Sequence, residues 1–113
     1  MTDAKIREHG DALYEALRAR HTLTPLTTRW PEITIADAYH VSLHMVNRRI
    51  HDDGEVIIGK KIGVTSKAVQ EMLDVHQPDF GYLTDQMLYE NGGDMPISQL
   101  LIQPRAEGEI AFK

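Results

Sequence analysis

The period of the apolar side chains changes at Gly54, and that change limits the fold more than any other feature. Before it, apolar residues recur at helical intervals. After the Asp52-Asp53-Gly54 turn, the segment from Glu55 to Ile62 gathers Val56, Ile57, Ile58 and Ile62, a β-branched set suited to a strand. A chain that changes period in this way must pack helices against a sheet, so the expected class is α+β. The expected organisation is a single domain over residues 1–113, helical through residue 53 and mixed α/β from residue 54.

Local signals place the elements. Ile6, Leu13, Ala16 and Leu17 predict an amphipathic helix from Thr2 to Arg20, capped by Thr2 or Asp3 and weakened at Gly10. His21 to Pro31 is rich in threonine and proline and predicts a loop. Thr34-x-x-Asp37 is a capping-box pattern, and Tyr39, Leu43, Val46 and Ile50 follow it as one helical face. Thr65 or Ser66 opens a third, short helix that ends before Gln77-Pro78. Beyond Asn91-Gly92-Gly93 the segments 99–102 and 105–112 are expected to be strands, so the chain enters a mixed sheet that is still being built at its last residues.

Composition then narrows the function. A 113-residue chain holds at most one modest core, and 42% apolar with 26% charged residues is an ordinary globular balance. Twelve basic against seventeen acidic residues give a net charge of −5, with no basic face for nucleic-acid phosphates. No apolar run is long enough to cross a bilayer, and Met1 to Gly10 lacks the pattern of a secretory signal. With no cysteine, disulfides and thiolate chemistry are absent, and the cytoplasm is the expected location.

Three short motifs carry chemistry. In a strand, Glu107 and Glu109 of Glu107-Gly108-Glu109 would point to one face, where two carboxylates attract a hard cation such as Mg²⁺ or Mn²⁺. Pairs of this kind are also common on solvated strands, so the motif needs company. In Gly59-Lys60-Lys61-Ile62-Gly63-Val64-Thr65-Ser66, strand alternation puts the two lysines on opposite faces, one of them free to enter a pocket. Gln77-Pro78-Asp79-Phe80-Gly81 has turn composition and can equally present Asp79 to a pocket. His40 and His44 lie one helical turn apart, but without a third ligand they are read as a partly solvated pair.

Taken in chain order, Gly59 to Ser66, then Gln77 to Gly81, then Gln103-Pro104-Arg105-Ala106 leading into Glu107-Gly108-Glu109, the three motifs together resemble the 2-oxopent-4-enoate (2-hydroxypenta-2,4-dienoate) hydratase family, related to the fumarylacetoacetate hydrolase C-terminal fold. The likeness extends to Asp11-Ala12-Leu13-Tyr14 and Ile35-Ala36-Asp37-Ala38-Tyr39. It implies a β-roll of that type, a homo-oligomer and a divalent metal, Mg²⁺ or Mn²⁺, with Glu107 and Glu109 as two of three carboxylate ligands. Lys61 and Asp79 match the family's catalytic positions. The third ligand is expected after Lys113, which makes this chain the N-terminal part of a longer enzyme. The implied reaction adds water to a small 2-hydroxydienoic acid in the breakdown of aromatic compounds. The sister 4-oxalocrotonate decarboxylase and an inactive truncated fragment are the alternatives.

Overall fold

The computed structural model describes residues 1–113. Helix α1 (Asp3–Ala19) starts where Thr2 Oγ1 accepts the Lys5 amide, and it ends at Arg20 in the left-handed region. After a single turn, α2 (Leu26–Arg29), comes the long helix α3 (Ile35–Asp53). The predicted capping box forms in full: the Thr34 hydroxyl accepts the Asp37 amide, and the Asp37 carboxylate accepts the Thr34 amide. Gly54 closes α3 at φ 69°, a left-handed position that costs glycine nothing. Strand β1 (Ile57–Gly63), helix α4 (Lys67–Met72), strand β2 (Asp79–Thr84), a 3₁₀ turn (Asp85–Met87) and helix α5 (Ile97–Leu100) complete the order. No helix is long and apolar enough to cross a membrane.

The chain is α+β, as its change of period requires. Its sheet is one antiparallel pair, with Lys60 opposite Tyr82, Lys61 opposite Gly81 and Gly63 opposite Asp79. A register irregularity between Ile57 and Gly59 lets Ile58 bulge out of the ladder.

Four expectations are corrected. The loop 21–31 contains α2, because the Thr28 and Arg29 amides bond back to the Pro25 carbonyl at 3.0 and 3.1 Å. Asp79, Phe80 and Gly81 open β2 instead of lying in a turn, since β1 offers them a partner. Segments 99–102 and 105–112 are not strands; α5 takes the first two residues of one, and residues 101–113 form no helix or strand. This last segment joins neither free edge of the two-stranded sheet, and Ile110 and Phe112 are 84% and 95% exposed. Finally, the buried face of α3 runs through Val41, Val46 and Arg49, rotated from the expected stripe, and Leu43 is exposed.

Helices α1 and α3 pack on each other around Tyr14, Ala16, Val41 and Val46. Gly10, expected to be a weak point, lies where α3 comes close: an added Cβ would lie 2.6 Å from His44 Cδ2 and 2.8 Å from His44 Cβ. Asp11 sits beside it, 2.9 Å from His44 Nε2 and accepting from Arg48 Nη1 at 2.7 Å.

A buried ionic cluster joins this helix pair to the sheet. Glu55 is 3% exposed and takes two parallel hydrogen bonds from Arg49, each 2.8 Å. Thr84 Oγ1 donates to it at 2.6 Å and Arg18 Nη2 at 2.9 Å. Arg18 also bonds Asp53, which in turn accepts from the Tyr14 hydroxyl at 2.8 Å. Burial opposes the charge on Glu55, but the donors from Arg49 and Thr84 outweigh it and hold the carboxyl below its usual range.

Gly10→Ala gains helix propensity yet should destabilise the protein by about 1–3 kcal/mol, because the new methyl has nowhere to go; urea unfolding measures it. Acid should unfold the protein through its paired carboxyls. Glu55, Asp11 and Asp53 are all depressed in the folded state, as is Asp37, held at about 2 first by the Thr34 hydroxyl and then by the Met1 amine. Their contribution is complete above the unfolded values near 4 and is lost as pH falls toward 2. Glu55→Gln should lower stability at pH 7 and flatten this acid slope, as read by denaturation at a series of pH values.

Candidate active-site cleft

The paired strands and the connection that follows α4 form a cleft of about 660 Å³ against the first turns of α3. Ile35, Tyr39 and Ser42 come from α3, Lys61 and Val64 from the end of β1, Asp74 to Pro78 from the connection after α4, and Asp79 to Gly81 from β2. The two sequence-predicted residues Lys61 and Asp79 therefore line one space. The register explains it: Lys61 faces Gly81 and Gly63 faces Asp79, so all four lie on one side of the sheet. Gly63 leaves room for the Asp79 carboxylate, since a Cβ on it would lie 2.6 Å from Asp79 Oδ1 and push that side chain aside.

Lys60 goes the other way. Its Nζ lies 5.7 Å from the centre of the Tyr82 ring, a cation–π contact on the opposite face. The expected division of the two lysines between faces is what the ladder produces, with Lys61 in the cleft.

Glu107 and Glu109 lie in the irregular segment and are exposed. Glu109 Oε1 is 3.3 Å from Lys61 Nζ, which brings the third motif to the second; Glu107 takes no part in that contact. As donors, the two carboxylates suit a hard divalent cation in kind. In number they are short, because no group of three or more histidine, cysteine or acidic side chains in the chain could hold a metal. His44 is engaged with Asp11 and His40 is exposed on the same helix.

The sequence reading missed the residues that hold the cleft's shape. Tyr39, read as one member of an apolar stripe, stacks on Phe80 with ring centroids 4.7 Å apart, and its hydroxyl accepts the Phe80 amide at 3.3 Å. The available signal was a tyrosine in that stripe, since a tyrosine buries a ring but keeps a polar end to satisfy. Val64 has φ +54°, a conformation that costs a β-branched residue about 1–3 kcal/mol, and no sequence signal marks it. Asp74, at φ +54° beyond α4, also lines the cleft.

The chain is 64% identical over 112 residues, 99% of its length, to a 2-hydroxypent-2,4-dienoate hydratase from Pseudomonas putida, and 62% identical over 108 residues to a 2-hydroxyhexa-2,4-dienoate hydratase from Comamonas testosteroni. Over nearly its whole length the chain is thus similar to 2-hydroxypentadienoate hydratases. It covers 50% of the first hydratase and 40% of the second, so it spans about half the length of the curated relatives it matches. No family model matches it. Among solved structures, the 4-oxalocrotonate decarboxylase from Pseudomonas putida G7, complexed with magnesium and adipate, superimposes with a TM-score of 0.70 at 31% identity, over 76% of this chain and 32% of its own. A second structure of that decarboxylase holds calcium and acetate. The chain thus shares its fold with an enzyme crystallised with divalent cations and carboxylates.

Tyr39→Phe keeps the ring stack and removes the acceptor for the Phe80 amide. It should cost about 0.5–1.5 kcal/mol and speed hydrogen exchange at Phe80, the residue next to Asp79, while exchange in α1 stays unchanged.

Proposed function

We propose that this chain is the part of a hydratase that adds water to 2-hydroxypenta-2,4-dienoate, giving 4-hydroxy-2-oxopentanoate. The observation that carries this reading is the meeting of Lys61 and Asp79 in one cleft with Glu109 against Lys61, in a chain 64% identical to a 2-hydroxypent-2,4-dienoate hydratase. The relatives' greater length agrees with sheet surface left uncovered here, where Ile58, Ile62 and Phe80 are exposed. On this reading residues 1–113 belong to one domain of a cytoplasmic homo-oligomer that serves the catabolism of aromatic compounds.

Glu107 and Glu109 would hold Mg²⁺ or Mn²⁺, completed by a carboxylate from further chain. When bound, such a cation polarises the ketone and carboxylate oxygens of a 2-oxo acid and favours negative charge on them. The chain's own residues do the rest. The Lys61 ammonium would bind the substrate carboxylate or move the proton at the enol oxygen: that proton leaves, the terminal carbon C5 takes one up, and the 2-hydroxydienoate becomes an α,β-unsaturated ketone. Asp79, across the ladder from Gly63, stands where it can orient water toward the carbon β to that ketone. Water's oxygen bonds to that carbon and its proton goes to the α carbon. Tyr39, Val75 and Phe80 give the hydrocarbon tail apolar walls and limit other water.

An ultraviolet assay of the full-length protein with 2-hydroxypenta-2,4-dienoate and Mg²⁺ or Mn²⁺ tests this. The diene should disappear with a product heavier by one water, and Lys61→Ala should slow turnover by about 10²-fold or more. The isolated 113-residue chain should be inactive. Release of CO₂ from 4-oxalocrotonate, without hydration of the dienoate, would assign the same cleft to a decarboxylase.

A further inference from the structure

Val64 is the strained member of the cleft wall, and one side chain holds it. Gln70, on α4, donates from Nε2 to the Val64 carbonyl at 3.0 Å in a part-buried contact. The hydroxyl of Ser66 caps α4 by accepting the Val69 amide at 3.2 Å, so the helix carrying Gln70 is anchored two residues after Val64. The left-handed turn at Val64 sends the chain sharply from the Lys61 strand into α4. It follows directly on Gly63, whose bare Cα admits the Asp79 carboxylate. A valine left to itself abandons this conformation for the extended region. Release of its carbonyl would let residues 63–65 relax and shift the wall between Lys61 and Asp79.

We infer that Gln70 is a positioning residue for the cleft: its amide clamps the Val64 carbonyl, and the clamp keeps Lys61 and Asp79 facing one space. The inference rests on the hydratase reading for its kinetic consequence, but the clamp itself does not.

The test uses the full-length protein with three variants. Gln70→Met keeps the shape of the side chain and removes the donor. Val64→Gly makes the left-handed conformation free of strain. The double variant combines them. Gln70→Met should quicken amide exchange across residues 63–66 and raise KM for the dienoate about tenfold, the effect of one lost hydrogen bond. Whatever Val64→Gly does to KM through the cleft wall, it should abolish the further effect of Gln70→Met, so that the double variant has the KM of Val64→Gly alone, although glycine lowers overall stability. Loss of the Gln70 effect on KM in the glycine background, while stability falls, is something a merely structural role for Gln70 would not produce. Unchanged exchange at 63–66 in Gln70→Met overturns the clamp. Faster exchange with unchanged KM, or additive effects of the two substitutions on KM, overturns the positioning role and leaves the hydratase reading intact. A wild-type protein without dienoate turnover overturns the hydratase reading, and the exchange measurement then decides the clamp alone.

Discussion

The Glu55 carboxylate is the point on which the architecture depends. It stands between the end of α3 and the start of β1, and its donors come from three other places: Arg18 on α1, Arg49 on α3 and Thr84 at the end of β2. A charge this deeply buried is tolerated only when its hydrogen bonds are met. The requirement works in reverse as a constraint on geometry. Meeting all four bonds sets α1 beside α3, sets β1 at the end of α3, and brings the far end of β2 back to the start of β1. Two further bonds tie the same corner, from the Val56 amide to the Asp85 carboxylate and from the Asp85 amide to the Val56 carbonyl, each 2.9 Å.

The cleft lies at the other end of this arrangement. With the sheet fixed at Thr84, the antiparallel register carries Asp79 to the level of Gly63 and Lys61, and the Tyr39 hydroxyl and ring fasten β2 to the first turns of α3. The helix pair thus grips the two-stranded sheet at both ends, by charge at one and by an aromatic stack at the other. Only nine residues of the chain are buried, so these few directed contacts matter more than they would over a large core. Much of the apolar surface of the sheet stays open, as suits a chain half as long as its relatives.

Legibility in the sequence followed the range of the interaction. The caps at Thr2, Thr34 and Ser66 and the glycine stop at Gly54 were readable, because each depends on residues no more than five apart. The division of Lys60 and Lys61 between faces was readable from strand alternation. The strand at Asp79–Thr84 was not, because Pro78, Asp79 and Gly81 look like a turn until β1 supplies a partner. Segment 105–112 misled in the opposite sense: Ile110, Ala111 and Phe112 have strand composition, but composition forms no ladder alone. Glu55 looked like an ordinary charge at a strand's edge, since its partners lie 6, 29 and 37 residues away.

The sequence by itself determined the α+β class, the starts of α1, α3 and α4 and, through the combined motifs, the resemblance that singles out Lys61, Asp79, Glu107 and Glu109 as candidates. These rest on local backbone chemistry and on residue order, which a linear string preserves. Tertiary structure alone decided that Lys61 and Asp79 share a cleft, that Tyr39 and Gln70 hold its walls, and that a buried glutamate joins helices to sheet. Those facts depend on which surfaces meet when hydrogen bonds and buried charges are satisfied together, a condition on the whole chain that no short stretch of it contains.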